Sequence, residues 1–281
     1  MALDQINSEE EVPVGEKEMS FLDHLEELRG HIIRSVIVIL VFAVIAFIFK
    51  DFFFGKIIFG PAKPDFITYR AFCKLAKILQ TDICIDKLNF IMQSRTMSGQ
   101  FAMHMTGSFI IGLVLGFPYL FWEIWRFVKP GLYDKEQSAT RGSVFWVSSL
   151  FFSGILFGYF LVAPLSVNFL ANYQLDPTIQ NQFDVLSYLE TMIILVVGCG
   201  LIFQLPMVIF VLTKIGIVTP DFMRTYRRHA IVVILIIAAI ITPPDIFSQL
   251  LVTMPMYVLY EASIFVSAWE MRRQKNQETV E

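Results

Sequence analysis

Six stretches of this chain are too apolar, for too long, to be the buried faces of ordinary soluble elements: about Ile32 to Phe49, Phe101 to Trp125, Val144 to Leu170, Leu186 to Thr213, His229 to Ile241 and Ile246 to Trp269. A helix needs roughly 20 apolar residues to cross a hydrocarbon core, and lipid offers its backbone no partners beyond those within the helix. The chain is therefore expected to fold as an all-α, polytopic membrane protein with six transmembrane helices. Its 281 residues are 56% hydrophobic and 17% charged, outside the range expected of a soluble domain. A formal charge of -3 gives no electrostatic basis for binding nucleic acid.

The six stretches are not alike. The fifth, "HAIVVILIIAAII", offers only 13 residues, so either the bilayer thins around it or it does not cross as a lone straight helix. The sixth carries Ser248, Gln249, Thr253, Pro255, Tyr257 and Glu261, and calls for neighbours or water on one side. Pro118, Pro164, Pro206 and Pro255 lie inside spans, where each removes a backbone donor and favours a bend. A bundle of bent, unequal helices follows, without an internal repeat or a two-domain division. The acidic start, "MALDQINSEEEVPVGEKE", lacks the basic and then apolar pattern of a cleaved signal peptide. Residues 1–20 read as a disordered cytosolic tail, 21–269 as the membrane domain with an external loop at about 50–100, and 270–281 as a C-terminal tail.

Basic residues set the orientation. Arg126, Lys129, Lys135 and Arg141 follow the second stretch, Lys214, Arg224, Arg227 and Arg228 follow the fourth, and Arg272, Arg273 and Lys275 follow the sixth. The connections 171–185 and 242–245 hold no Lys or Arg. Both termini are thus expected in the cytosol. The segment Lys50 to Gln100 holds eight basic residues, but its length and interleaved acids reduce their weight. Trp122, Trp125, Trp146 and Trp269 fall at the cytosolic ends, in agreement.

Just before the first stretch, "FLDHLEELRGHIIRS" places His24, Glu27, His31 and Arg34 on one helical stripe by spacings of three, four and three. Leu22, Leu25, Leu28 and Ile32 form another, so an amphipathic helix leads into the membrane with acid and base at the water surface. Searches for enzymatic motifs find no zinc helix, phosphate loop, nucleophile elbow or Cys/His cluster at metal spacing. No cofactor, metal or catalysis is expected. His24, His31, His104 and His229 are scattered and read as interfacial or solvated. Glu27, Glu123, Glu136 and Glu261 form a set of carboxylates at the cytosolic face. In "WRFVKPGLYDKEQ", Lys129-Pro130-Gly131 forces a turn that places Glu136 in a short loop, where it either balances Lys135 and Arg141 or joins Glu27 in a site. Cys73 and Cys84 are either unpaired thiols or, if their segment faces an oxidising compartment, a disulfide. Cys199 sits in an apolar run.

The blocks "HLEELRGHIIRS", "WRFVKPGLYDKE" and "LIFQLPMVIFVLTKIGIVTPDFMRTYRRHAIVVILIIAAIITPPDIFSQLLVTMPMYVLYE" together resemble the TatC family, the multispanning receptor subunit of the twin-arginine protein translocase. The resemblance runs from about Phe21 to Trp269. It implies a concave six-helix bundle in the bacterial cytoplasmic (inner) membrane with both termini cytosolic and short fifth and sixth helices. It also implies export of folded proteins, binding of twin-arginine signal peptides, single-span partner subunits and self-association within a complex. Glu27 and Glu136 match the family's acids that face the substrate's guanidinium groups. Arg29 and Phe127 match positions on the same surface, Asp245 matches the acid of an external turn, and Pro61 matches a loop proline. Gln204 stands where many members carry Glu. It is expected on the concave face, where its amide either pairs with a single-span partner or makes an internal helix contact. The alternative from the residues alone, a transporter or channel for a small solute, would call for ionisable groups near the membrane midplane.

Overall fold

The computed structural model describes residues 21–80, 90–128, 142–176, 178–242 and 246–278. Ten helices are used below: α1 (Phe21–Ile48), α2 (Ile67–Leu79), α3 (Gly99–Val128), α4 (Ser143–Phe157), α5 (Ala163–Asn172), α6 (Val185–Ile202), α7 (Leu205–Lys214), α8 (Pro220–Thr225), α9 (Arg227–Ile241) and α10 (Ile246–Glu278). Two π-helical segments, Phe53–Ile58 and Gly158–Val162, complete the pattern. Among the described residues five runs are long and apolar enough to cross a membrane: Leu25–Ile48, Gly99–Phe127, Ser143–Asn172, Val185–Lys214 and Ser248–Arg273. The remaining predicted span corresponds to α9, with 15 residues. At 1.5 Å per residue it is about 22 Å long, short of a hydrocarbon core of about 30 Å. The last helix continues past Trp269 to Glu278, so most of the predicted tail is helical.

α1 and α3 run antiparallel. Phe47 stacks on His104 near one end with centroids 3.9 Å apart, and His31 meets Glu123 near the other. Their closest approach is at Gly112, where a Cβ would lie 2.6 Å from the Ile39 carbonyl oxygen and 2.7 Å from the Ala43 nitrogen. A hydrophobic driving force between helices is absent in lipid, so such close backbone contact is what holds the pair. α4 and α6 follow the same logic at Gly154, whose Cβ would meet the Cys199 carbonyl oxygen at 2.7 Å. Phe117 and Phe151, stacked at 3.7 Å, join α3 to α4. Thr213 donates to Ser267 at 2.8 Å, fastening α7 to α10.

Of the four prolines expected to bend their spans, Pro164 and Pro206 coincide with interruptions of the α-helix. Pro164 cannot donate to the Phe160 carbonyl four residues back. The helix widens into its π-segment just before Pro164, and the hydroxyl of Thr68 from α2 donates to the freed Phe160 oxygen. Pro206 opens α7 after a break at Phe203 and Gln204, while Pro118 and Pro255 lie within α3 and α10.

The residues after α1 form a cap over one end of the bundle. Three phenols satisfy its backbone. Tyr188 donates to the Ile58 carbonyl at 2.8 Å, Tyr159 to that of Ile57 at 2.9 Å, and fully buried Tyr69 to those of Pro61 and Pro164 at 2.8 and 2.9 Å. Burial raises the Tyr69 hydroxyl above the usual phenol range. The buried apolar cluster joins Phe54 and Ile58 of the cap to Met103, Val162, Leu189 and Met192 of the helices. A short two-stranded parallel pairing of Ile91–Gln93 with Gln182–Asp184 ties the cap to the start of α6. There Asp184 accepts from the backbone of Arg95 at 3.0 Å and of Leu186 at 2.9 Å, closing the α6 N-terminus. Those bonds hold its carboxyl below the usual range. Cys73 is disulfide-bonded and Cys199 is a free, buried thiol, while Cys84 lies outside the described residues.

Candidate functional site

At the end opposite the cap, the polar stripe of α1 meets a matching stripe on α3. Tyr119, Glu123 and Phe127 recur at intervals of four, so they stand on one face of α3. Glu123 is 1% exposed and sits at the centre. Its Oε2 is bonded to His31 Nδ1 and lies 3.8 Å from Arg34 Nη1, and its Oε1 accepts from the Tyr119 hydroxyl at 2.7 Å. His31 Nε2 faces Glu27 Oε1 at 4.0 Å, and the Phe127 ring meets the imidazole edge-on with centroids 6.0 Å apart. Ser35 donates back to the His31 carbonyl at 2.9 Å. A buried carboxylate is tolerated only where neighbouring groups replace its hydration, and here two hydrogen-bonded side chains and a nearby guanidinium, from two helices, do so.

Above this network lies a depression of about 310 Å3 lined by Glu26, Glu27, Gly30, His31, Arg34 and Arg126. Gly30 leaves its floor open, because a Cβ there would meet nothing nearer than Arg34 Nη2 at 4.0 Å. Glu27 keeps 38% of its side chain exposed, so one carboxylate is spent on the helix pair and another remains available to water or a ligand. The structure brings Glu27 and Phe127 together around His31. Arg29 is exposed and outside the lining of the depression. Glu136 and Asp245 lie outside the described residues, as do the side chains of His24 and Val128.

Two readings from sequence are corrected. His31 is neither interfacial nor solvated but 6% exposed and paired, and Glu123 is a buried structural acid, not one more surface carboxylate. The signal was present in part: an ionisable residue within an apolar span usually has a specific partner, and His31 shares a stripe with Glu27. Glu261 is likewise paired, accepting from Arg227 of α9 at 2.8 Å and from Tyr257 at 3.0 Å. Gln204 donates from Nε2 to the Val147 carbonyl of α4 at 3.1 Å, while its Oε1 is buried without a partner. Pro61 is buried in the cap with its carbonyl bonded to Tyr69. Among the described residues no group of three or more His, Cys, Asp or Glu could hold a metal ion.

Long apolar helices joined through close glycine contacts, with a buried carboxylate network at one end and a phenol-bonded cap at the other, define a multi-pass membrane protein. The model of the family described as Sec-independent protein translocase protein (TatC) matches residues 23–255, and the chain belongs to that family. The TatC protein of Blattabacterium sp. subsp. Periplaneta americana is 39% identical over 259 residues, covering 91% of this chain and 97% of that one. TatCy of Bacillus subtilis is 33% identical over 256 residues, covering 91% of each. A crystal structure of the twin-arginine translocase receptor TatC in DDM superimposes with a TM-score of 0.66 at 31% identity, over 87% of this chain and 99% of that one. The protein is thus a subunit of a protein translocase, and the bundle derived above is the TatC fold.

Proposed function

We propose that the protein is the receptor subunit that recognises twin-arginine signal peptides on the face carrying Glu27. The observation behind this reading is the division of labour at that face: Glu123 is consumed by His31, Tyr119 and Arg34, whereas Glu27 opens onto a depression beside Phe127. A guanidinium offers a planar fork of donors that a carboxylate receives in bidentate fashion, while an ammonium is a point charge. Glu27 and Glu136 together therefore select paired arginines over paired lysines, with Arg29 on the same surface. In this reading the face is cytosolic, both termini lie on that side of a bacterial cytoplasmic membrane, and α9 completes six crossings.

The solved relative described as a twin-arginine translocase receptor supports the assignment. The chain has no catalysis of its own in this reading and works with single-span partner subunits and further copies of itself. The unspent Oε1 of Gln204 is an acceptor for a polar group of such a partner. Asp245 has a structural role in an external turn, and Cys73 pairs with Cys84 to close the external loop. Purified protein should bind a labelled twin-arginine signal peptide better than its twin-lysine counterpart. Glu27→Ala and Glu136→Ala should each weaken that binding on the order of tenfold, the worth of a charged hydrogen bond. Equal binding of both peptides to the folded protein would overturn the assignment.

A further inference from the structure

Beneath the cap, on the lateral face between α3, α4 and α6, lies a second and larger hollow of about 780 Å3. Its walls are apolar, among them Val114 of α3, Ile155 of α4, and Met192 and Val196 of α6. Its rim on the cap side carries Lys56, Lys63 and Asp65. Each lysine has a local contact that leaves protons free. Lys63 Nζ donates to the Gly55 carbonyl at 2.7 Å, using one of three, and Lys56 Nζ stands 5.9 Å from the centre of the Phe52 ring. All three charged rim residues are exposed.

Water is a poor occupant, because a buried water needs two to four polar partners and the walls offer almost none. A transmembrane helix is a poor fit as well. Such a helix could lie along the apolar walls, but it brings no anion to the lysines of the rim. A narrow apolar chain ending in an anion matches both the walls and the rim. We infer that this groove is a phospholipid site, in which an acyl chain lies along Val114, Ile155, Met192 and Val196 and the phosphate sits on the ammonium groups of Lys56 and Lys63. The lipid belongs to the leaflet on the cap side. Asp65 flanks the phosphate position and leaves the rim with one net positive charge, so recognition rests on the phosphate rather than on a strongly anionic headgroup. This site is at the opposite end of the molecule from Glu27 and does not depend on signal-peptide binding.

The test is native mass spectrometry of the full-length protein in detergent, after incubation with phosphatidylglycerol or with diacylglycerol of the same chains. Retention of one phosphatidylglycerol, on the order of tenfold above diacylglycerol, is expected. K56Q/K63Q, which alters only exposed side chains, should abolish the preference, and Val196→Trp should abolish retention of both molecules. Equal retention of the two by the unmodified protein would overturn the phosphate contact. An unchanged preference in K56Q/K63Q would overturn the assignment of the lysines. A photoreactive group at residue 196 that captures a protein helix in membranes, and no lipid, would give the groove to a partner helix and overturn the proposal as a whole.

Discussion

The two ends of the bundle solve the same problem by different chemistry. Each brings polar groups from distant parts of the chain into a space with little water. At the cap, neutral phenols of Tyr69, Tyr159 and Tyr188 donate to backbone carbonyls of the turn after α1 and of Pro164. At the opposite end, ionisable side chains answer one another: Glu123 with His31, Tyr119 and Arg34, and Glu27 beside them. Phenols hold a shape and offer no charge to a visitor. A carboxylate network holds helices together and can leave one of its acids free to bind. On the proposed function, recognition would use the carboxylate network, while the phenols serve to hold the cap.

The largest effect is expected where the charged end depends on a single residue. Glu123→Ala removes the hydrogen-bond partner of His31 and Tyr119 and the counter-charge near Arg34, and leaves His31 buried without its partner. Breaking a buried pair in this way costs about 3 kcal/mol or more. Denaturation in detergent should show that loss, together with weaker signal-peptide binding as α1 loosens against α3. Glu123→Gln keeps an acceptor for the Tyr119 hydroxyl and should lose less. If the two variants are equally stable and match the unmodified protein, the network does not hold that end together.

The capped end should respond more gently. Tyr69→Phe removes the hydroxyl that donates to the Pro61 and Pro164 carbonyls while preserving the ring that fills the site. An unsatisfied buried acceptor costs about 1–3 kcal/mol, and only part of that is expected because one donor was shared between two oxygens. Signal-peptide binding, being at the other end, should not change. Reduced peptide binding in Tyr69→Phe would mean that the ends are coupled and would break the comparison.

How much of this could be read from the residues depended on whether the cause was local. The apolar runs, the shortness of α9 and the stripe of Glu27, His31 and Arg34 follow from composition and the 3.6-residue period, and the structure contains all three. The tryptophans at one end, with Arg126 over Trp122 and Arg273 over Trp269, are local as well. What escaped was long-range pairing. His31 and Glu123 are 92 residues apart, as are Thr68 and Phe160, and no periodicity connects them. A bend at Pro164 was legible because proline acts on its own backbone. The identity of the hydroxyl that takes the freed carbonyl was not, because it comes from a different helix. The π-helical turn after α1 left no mark in the apolar pattern, so the expected external loop gave no hint of a cap.

The smallest expected effect separates charge from shape within the cap itself. Asp184 is the one carboxylate of the β-pairing, and its backbone donors, Arg95 first and Leu186 second, hold its carboxyl below the usual range. A depressed folded-state value means that the ionised form is bound more strongly in the folded chain. The resulting stability is fully present above the ordinary aspartate range near pH 3.9 and is lost as the pH falls through the lower folded value. Asp184→Asn keeps a side-chain oxygen that can close the α6 N-terminus but removes the charge. Its thermal midpoint should lie slightly below that of the unmodified protein at neutral pH and converge with it in acid. A gap that does not narrow as the pH falls would assign the loss to geometry. Asp184 would then act through hydrogen-bond shape and not through its charge, and the contrast between the two ends would be sharper than Asp184 now makes it.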